Sequence, residues 1–144
     1  MSSLEVKDLH VTINGSHILQ GVNFFVPENK VTALLGRNGV GKSTTLKAIM
    51  GLNPGTGSIK FGGTEIVETQ THKIVQMGLG YVPEDREIFA SLTVKENLSL
   101  AERDAKPNYD LVYSLFPELL TRTSQRAGTL SGGQQQMVAI SRAL

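Results

Sequence analysis

The N-terminal third of the chain alternates apolar and polar residues with period two. Leu4 and Val6, then Leu9, Val11 and Ile13, then Val22, Phe24 and Val26 each place apolar side chains on one face of a strand. Asn14-Gly15 and Pro27-Glu28-Asn29 interrupt these groups as turns, so antiparallel strands are expected. Val31 to Leu35 differs. Its nearly continuous apolar run predicts a strand buried on both faces. After a Gly-rich loop the period changes: Ser43 to Met50 carries Leu46, Ile49 and Met50 at helical spacing, with Gly51 as the stop.

In the middle, a turn at Asn53-Pro54-Gly55 precedes a short strand from Ser58 to Phe61 and a weak helix near Thr71 to Met77. Gly80-Tyr81-Val82 predicts a second buried strand, closed by Pro83. Thr93-Val94-Lys95-Glu96 has the form of a capping box ahead of Val94, Leu98 and Ala101. Leu111, Val112, Leu115 and Phe116 predict a further helix, ended by Pro117. From Ser131 the pattern is helical, with Met137, Val138 and Ile140, and with Ala143 and Leu144 continuing the same face. An amphipathic pattern that stops on an apolar residue without a cap reads as a fragment whose missing part lies downstream.

Composition narrows the function classes. The chain has 144 residues, which suits one domain, and its 40% hydrophobic and 19% charged residues argue against disorder. Fourteen Lys+Arg against 13 Asp+Glu give a net charge of +1, which offers no electrostatic ground for binding nucleic acid. Cys is absent, which excludes disulfides, zinc–thiolate sites and Cys nucleophiles. His10, His17 and His72 show no metal-ligand spacing. No apolar run approaches the roughly 20 residues of a membrane span and no signal peptide opens the chain, so a cytoplasmic protein is expected.

The candidate chemistry lies in two Gly-rich segments. Gly36-Arg37-Asn38-Gly39-Val40-Gly41-Lys42-Ser43 fits G-x-x-x-x-G-K-[ST] at every fixed position, between an expected strand and an expected helix. A chance match in this chain is on the order of one per cent, so a plain Gly-rich turn is the weaker reading. The residue types suit a polyphosphate. Glycines let the backbone wrap it closely, and the helix N-terminus adds partial positive charge. Lys42 can reach the β- and γ-phosphates, and the Ser43 hydroxyl can ligate Mg²⁺. A GTPase would need N-K-x-D, but Asn29-Lys30 is followed by Val31-Thr32. In the second segment, Leu130-Ser131-Gly132-Gly133-Gln134, Ser131 suits an N-cap and the glycines expose amides at a positive helix end.

With both segments present, the chain resembles the nucleotide-binding domain of ATP-binding-cassette (ABC) ATPases over essentially its whole length. The resemblance implies an α/β P-loop NTPase fold, incomplete, with an N-terminal antiparallel β-subdomain and a helical subdomain. Residues 1–82 would hold the β-subdomain and P-loop core. Residues 83–130 would hold a Q-loop-like segment and the helical subdomain that docks on a membrane partner, and 131–144 the signature helix. ATP would be bound by Gly36 to Ser43 with Thr44. Leu130 to Gln134 would contact the γ-phosphate held by the opposite subunit of a head-to-tail dimer. The implied partners are ATP with Mg²⁺, a second ABC ATPase subunit and transmembrane permease subunits, at the inner face of the cell membrane.

Gly36 to Ser43, Tyr81-Val82-Pro83-Glu84, Leu92 to Leu98, Leu115-Phe116-Pro117 and Gln125 to Gly133 look like the subfamily that energises branched-chain amino acid uptake. Urea-importer ATPases share much of this, including Arg86-Glu87-Ile88-Phe89 in similar form. The expected function is coupling ATP binding and hydrolysis to uptake of branched-chain amino acids. The alternatives are a urea importer ATPase, a non-transport ABC ATPase or an inert fragment. Three departures from the family stand out. Ile13 holds the place of an adenine-stacking aromatic. Glu84 holds that of a Gln beside Mg²⁺ and the attacking water, where it would act with Lys42 in catalysis. The family's second acidic strand and switch His have no counterpart, so residues 1–144 alone are expected to bind nucleotide without hydrolysing it. Arg142 is expected to cover surface.

Overall fold

The computed structural model describes residues 2–102 and 108–144. The chain forms two compact units, Met1–Leu79 and Gly80–Leu144. In the first, β1 (Leu4–Ile13) and β2 (Ser16–Val26) meet at Asn14-Gly15, whose φ angles are 50° and 79°. Positive φ at both central residues is the type I′ hairpin turn that Asn-Gly favours. β3 (Thr56–Phe61) and β4 (Thr64–Glu65) extend an antiparallel sheet of order β2-β1-β3-β4. The helices α1 (Lys42–Ile49) and α2 (Thr71–Gln76) belong to the same unit. Val6, Leu9, Val11, Leu19, Ile59 and Ile74 are buried in this unit.

The three apolar groups of the N-terminal third thus make two strands. Val6 and Leu9 are three apart yet both buried, because a bulge at Asp8, with φ 49°, resets the alternation. Asn23 Oδ1 accepts the Asp8 amide at 2.9 Å and so satisfies the group the bulge displaces.

The two buried strands expected from apolar runs are not formed. Val31 to Leu35 is irregular, with Val31 101% and Leu35 88% exposed, and Gly80 to Val82 is irregular too. A strand buried on both faces needs paired neighbours, and among the described residues no strand pairs with either segment.

The second unit contains α3 (Val94–Ser99), α4 (Tyr109–Leu115), α5 (Pro117–Leu120), a 3-10 turn (Ala127–Thr129) and α6 (Gly132–Ser141). Val94, Leu98, Val112, Leu119, Ala127, Leu130 and Val138 form its core. The capping box is present: Glu96 donates its amide to Thr93 Oγ1 at 3.2 Å, and the Glu96 carboxylate accepts the Thr93 amide at 2.7 Å. Pro117 ends α4 and also opens α5, where its missing N–H costs nothing. Ala143 and Leu144 leave the helix, since the Ala143 amide turns back to the Ile140 carbonyl at 2.9 Å. No helix among the described residues is long and apolar enough to cross a membrane.

Candidate functional site

The phosphate loop lies between the irregular segment and α1. Gly39 has φ 84° and Gly41 has φ 95°, left-handed values that explain glycine at both places. A Cβ on Gly41 would come within 2.6 Å of Leu19 Cδ2 and 3.7 Å of Ile18 Cγ2, so β2 packs under the start of α1. Among the described residues, the amides of Gly39, Gly41, Lys42, Ser43 and Thr44 donate to no carbonyl, while the Thr45 amide begins the ladder to Gly41 O at 2.8 Å. Those unpaired donors lie in and just before the first turn of an eight-residue helix, at its positive end. An anion with several oxygens can satisfy them together.

Lys42 is half-buried and reaches back over the loop. Its Nζ donates to the Gly36 carbonyl at 2.8 Å and the Arg37 carbonyl at 2.9 Å. These carbonyls hold the ammonium over the loop that would receive the phosphates. Arg37, Asn38, Val40 and Ser43 are exposed and Thr44 is half-buried. Ile13 is 36% exposed at the hairpin end of β1, opposite Ser16. Ile18, 37% exposed, lies beside Gly41 and was not expected from the sequence. Its signal would have been an apolar residue in a strand that packs on the loop, which only the fold reveals.

The second Gly-rich segment is in the other unit. Ser131 caps α6: its Oγ accepts the Gln134 amide at 3.3 Å, and the Gln134 side chain accepts the Ser131 amide at 3.1 Å. An Oγ that accepts from Gln134 keeps its own proton for another acceptor. The amides of Gly132 and Gly133 have no acceptor among the described residues. A hydroxyl and two amides therefore stand ready at a second helix N-terminus. Gln134 also donates to Glu118 at 3.1 Å, and Leu130 is buried under the segment.

Glu84 is exposed in a turn closed by the Arg86 amide and the Pro83 carbonyl at 3.2 Å. Arg142 does not merely cover surface. Its Nη1 donates to the Glu87 carbonyl at 2.7 Å, and its guanidinium stands over the Phe89 ring. Asn97, fully buried, was also missed. It bonds both backbone groups of Phe89 at 2.9 Å, and a single Asn in a helical pattern gives no sign of that. Among the described residues no group of three or more His, Cys, Asp or Glu could hold a metal ion.

The profile of the family described as ABC transporter matches residues 19–144. The chain is 40% identical over 134 residues to the probable branched-chain amino acid transport ATP-binding protein LivF of Archaeoglobus fulgidus, covering 89% of this chain and 57% of that protein. It is 42% identical over 132 residues to the high-affinity branched-chain amino acid transport ATP-binding protein BraG of Pseudomonas aeruginosa, covering 88% and 57%. Among solved structures, an ATP-binding subunit of an ABC transporter superposes with a TM-score of 0.81 at 31% identity, over 96% of this chain and 60% of that one. A nucleotide-free ATP-binding cassette superposes at 0.82 with 25% identity, over 100% and 65%. The chain thus spans 57% of the length of the two transport relatives.

Proposed function

The chain belongs to the ABC transporter family, and on that premise we propose that it supplies the nucleotide-binding part of an importer ATPase for branched-chain amino acids. The observation that carries the reading is the phosphate loop, with five unpaired amides and the Lys42 ammonium over one helix start. Lys42 exchanges its two carbonyls for the β- and γ-phosphates of ATP. The amides of Gly39, Gly41, Lys42, Ser43 and Thr44 bind phosphate oxygens, and Ile13 or Ile18 offers an apolar surface to the base.

Ser43 and Glu84 would hold Mg²⁺. Both are exposed oxygen donors of the hard type this cation takes, and few protein ligands suffice where phosphates and waters complete the shell. When bound, the ion neutralises charge that develops on the transferred phosphoryl group. Ser131, Gly132 and Gly133 donate to the γ-phosphate held by a second ABC ATPase subunit. Permease subunits carry the solute across the membrane, and this chain works at its cytoplasmic face.

Similarity to LivF and BraG supports branched-chain amino acids over urea as the solute. The test is uptake of labelled leucine by cells that carry the complete transporter with Lys42→Ala. Loss of leucine uptake, with urea uptake unchanged, is expected. Unaltered leucine uptake refutes the assignment.

A further inference from the structure

Residues 84–93 form an irregular segment whose course is set by side chains and backbone groups of the elements around it. Arg86 and Glu87 both have left-handed φ, 67° and 46°. Residues with a Cβ persist there only when their surroundings impose it. The downstream end is pinned by the Gly128 amide on the Ala90 carbonyl at 2.9 Å and the Ala127 amide on the Leu92 carbonyl at 2.8 Å. Asn97 pins Phe89.

The upstream end is held by two arginines. Arg86 Nη1 donates to Gln135 Oε1 at 3.2 Å, and the Gln135 side-chain amide donates in turn to the Leu130 carbonyl at 3.2 Å. A Cβ on Gly132 would lie 3.3 Å from Arg86 Nη2, so this guanidinium abuts the first turn of α6. Arg142 grips from the other end of α6. It donates to the Glu87 carbonyl at 2.7 Å, with its guanidinium carbon 4.8 Å from the Phe89 ring centroid. Its Nε is buried and finds no acceptor among the described residues, so the carbonyl and the ring hold the group. Among the described residues neither arginine pairs with a carboxylate. Both are committed to neutral acceptors that join one loop to one helix.

We propose that Arg86 and Arg142 are positioning residues that fasten the Glu84 loop to α6, so that Glu84 and the signature residues Leu130 to Gln134 move as one body. The inference rests on the reading of Glu84 as the residue that senses Mg²⁺ and the γ-phosphate. Arg142 sets the loop by a main-chain carbonyl three residues from Glu84. A Lys there can donate to that carbonyl but lacks the planar group that stacks on Phe89.

The test compares Arg142→Gln, Arg142→Lys, Arg86→Gln and Glu84→Gln in the complete protein. Amide hydrogen exchange is followed by mass spectrometry over 84–89, the first turn of α6, and α3. Arg142→Gln should speed exchange over 84–89 by about tenfold, the loss of one charge-assisted bond, and leave α3 unchanged. Arg86→Gln should speed exchange in the first turn of α6, and Arg142→Lys should lie between parent and Arg142→Gln. ATP affinity with Mg²⁺ and in EDTA is the second measurement. Both Arg→Gln variants should lose part of the Mg²⁺ dependence and keep the parent's affinity in EDTA.

Unchanged exchange over 84–89 in Arg142→Gln and Arg142→Lys overturns the proposal. Exchange raised equally in α3 also overturns it, because the unit would then be loosened as a whole. If exchange rises as expected but Glu84→Gln leaves the Mg²⁺ dependence intact, the fastening stands and the assignment of Glu84 fails.

Discussion

Lys42→Ala offers a quantitative test of the phosphate loop, because the structure gives both sides of the exchange. Lys42 donates to the Gly36 and Arg37 carbonyls at 2.8 and 2.9 Å. A bound phosphate must draw the ammonium away from them. The phosphate contact is charge-assisted on both partners and is worth on the order of 2–3 kcal/mol. The carbonyl contacts are charge-assisted on one partner only and come from a half-buried group, so together they contribute about 1 kcal/mol net. The difference, about 1–2 kcal/mol, corresponds to roughly 5–30-fold weaker ATP binding. Ignoring the carbonyls would give a larger loss, about 30–150-fold. Calorimetric titration of ATP into the parent and Lys42→Ala proteins, at one salt concentration, separates the two values. A loss beyond about 100-fold would show that the carbonyls do not compete, and a loss under about threefold that the ammonium does not reach phosphate.

The two left-handed glycines of the loop should respond differently. Gly41→Ala meets both strain and Leu19 and should destabilise by about 1–3 kcal/mol, whereas Gly39→Ala meets open space and should cost about 1 kcal/mol, as read by denaturant midpoints. Ser131→Arg should spare ATP binding by the monomer and block nucleotide-dependent dimerisation, measured by light scattering; equal loss of monomer binding in Ser131→Arg and Lys42→Ala would refute that division. Acid should weaken the fold through two carboxylates. Burial raises the Glu65 pKa, but the Ser58 hydroxyl and the amides of Ile59, Val67 and Ile66 outweigh it, and the Thr93 amide and hydroxyl lower Glu96. With folded pKa values below the unfolded value of about 4.3, this stability is present above that pH and lost as pH falls through the folded values. Glu65→Gln and Glu96→Gln should each flatten the acid limb of a stability–pH curve, and an unchanged limb would count against these contacts.

The features legible from residue order alone are local in origin. The Asn14-Gly15 turn, the glycines of the phosphate loop, the capping box at Thr93 and the Ser131 cap each depend on residues within a few positions of one another. Backbone dihedrals and caps are properties of short stretches, so residue type and spacing suffice to read them. The bulge at Asp8 lay at the edge of legibility, because it showed only as a break in period between Val6 and Leu9. Tertiary structure decided the rest. An apolar run such as Val31 to Leu35 states a need for burial, but only neighbouring strands can meet it, and exposure or burial follows from what pairs with it. The contacts of Arg86 with Gln135 and of Arg142 with Glu87 join residues 49 and 55 positions apart. Single polar side chains carry no period along the chain, and their partners are chosen by how the second unit packs around its own core.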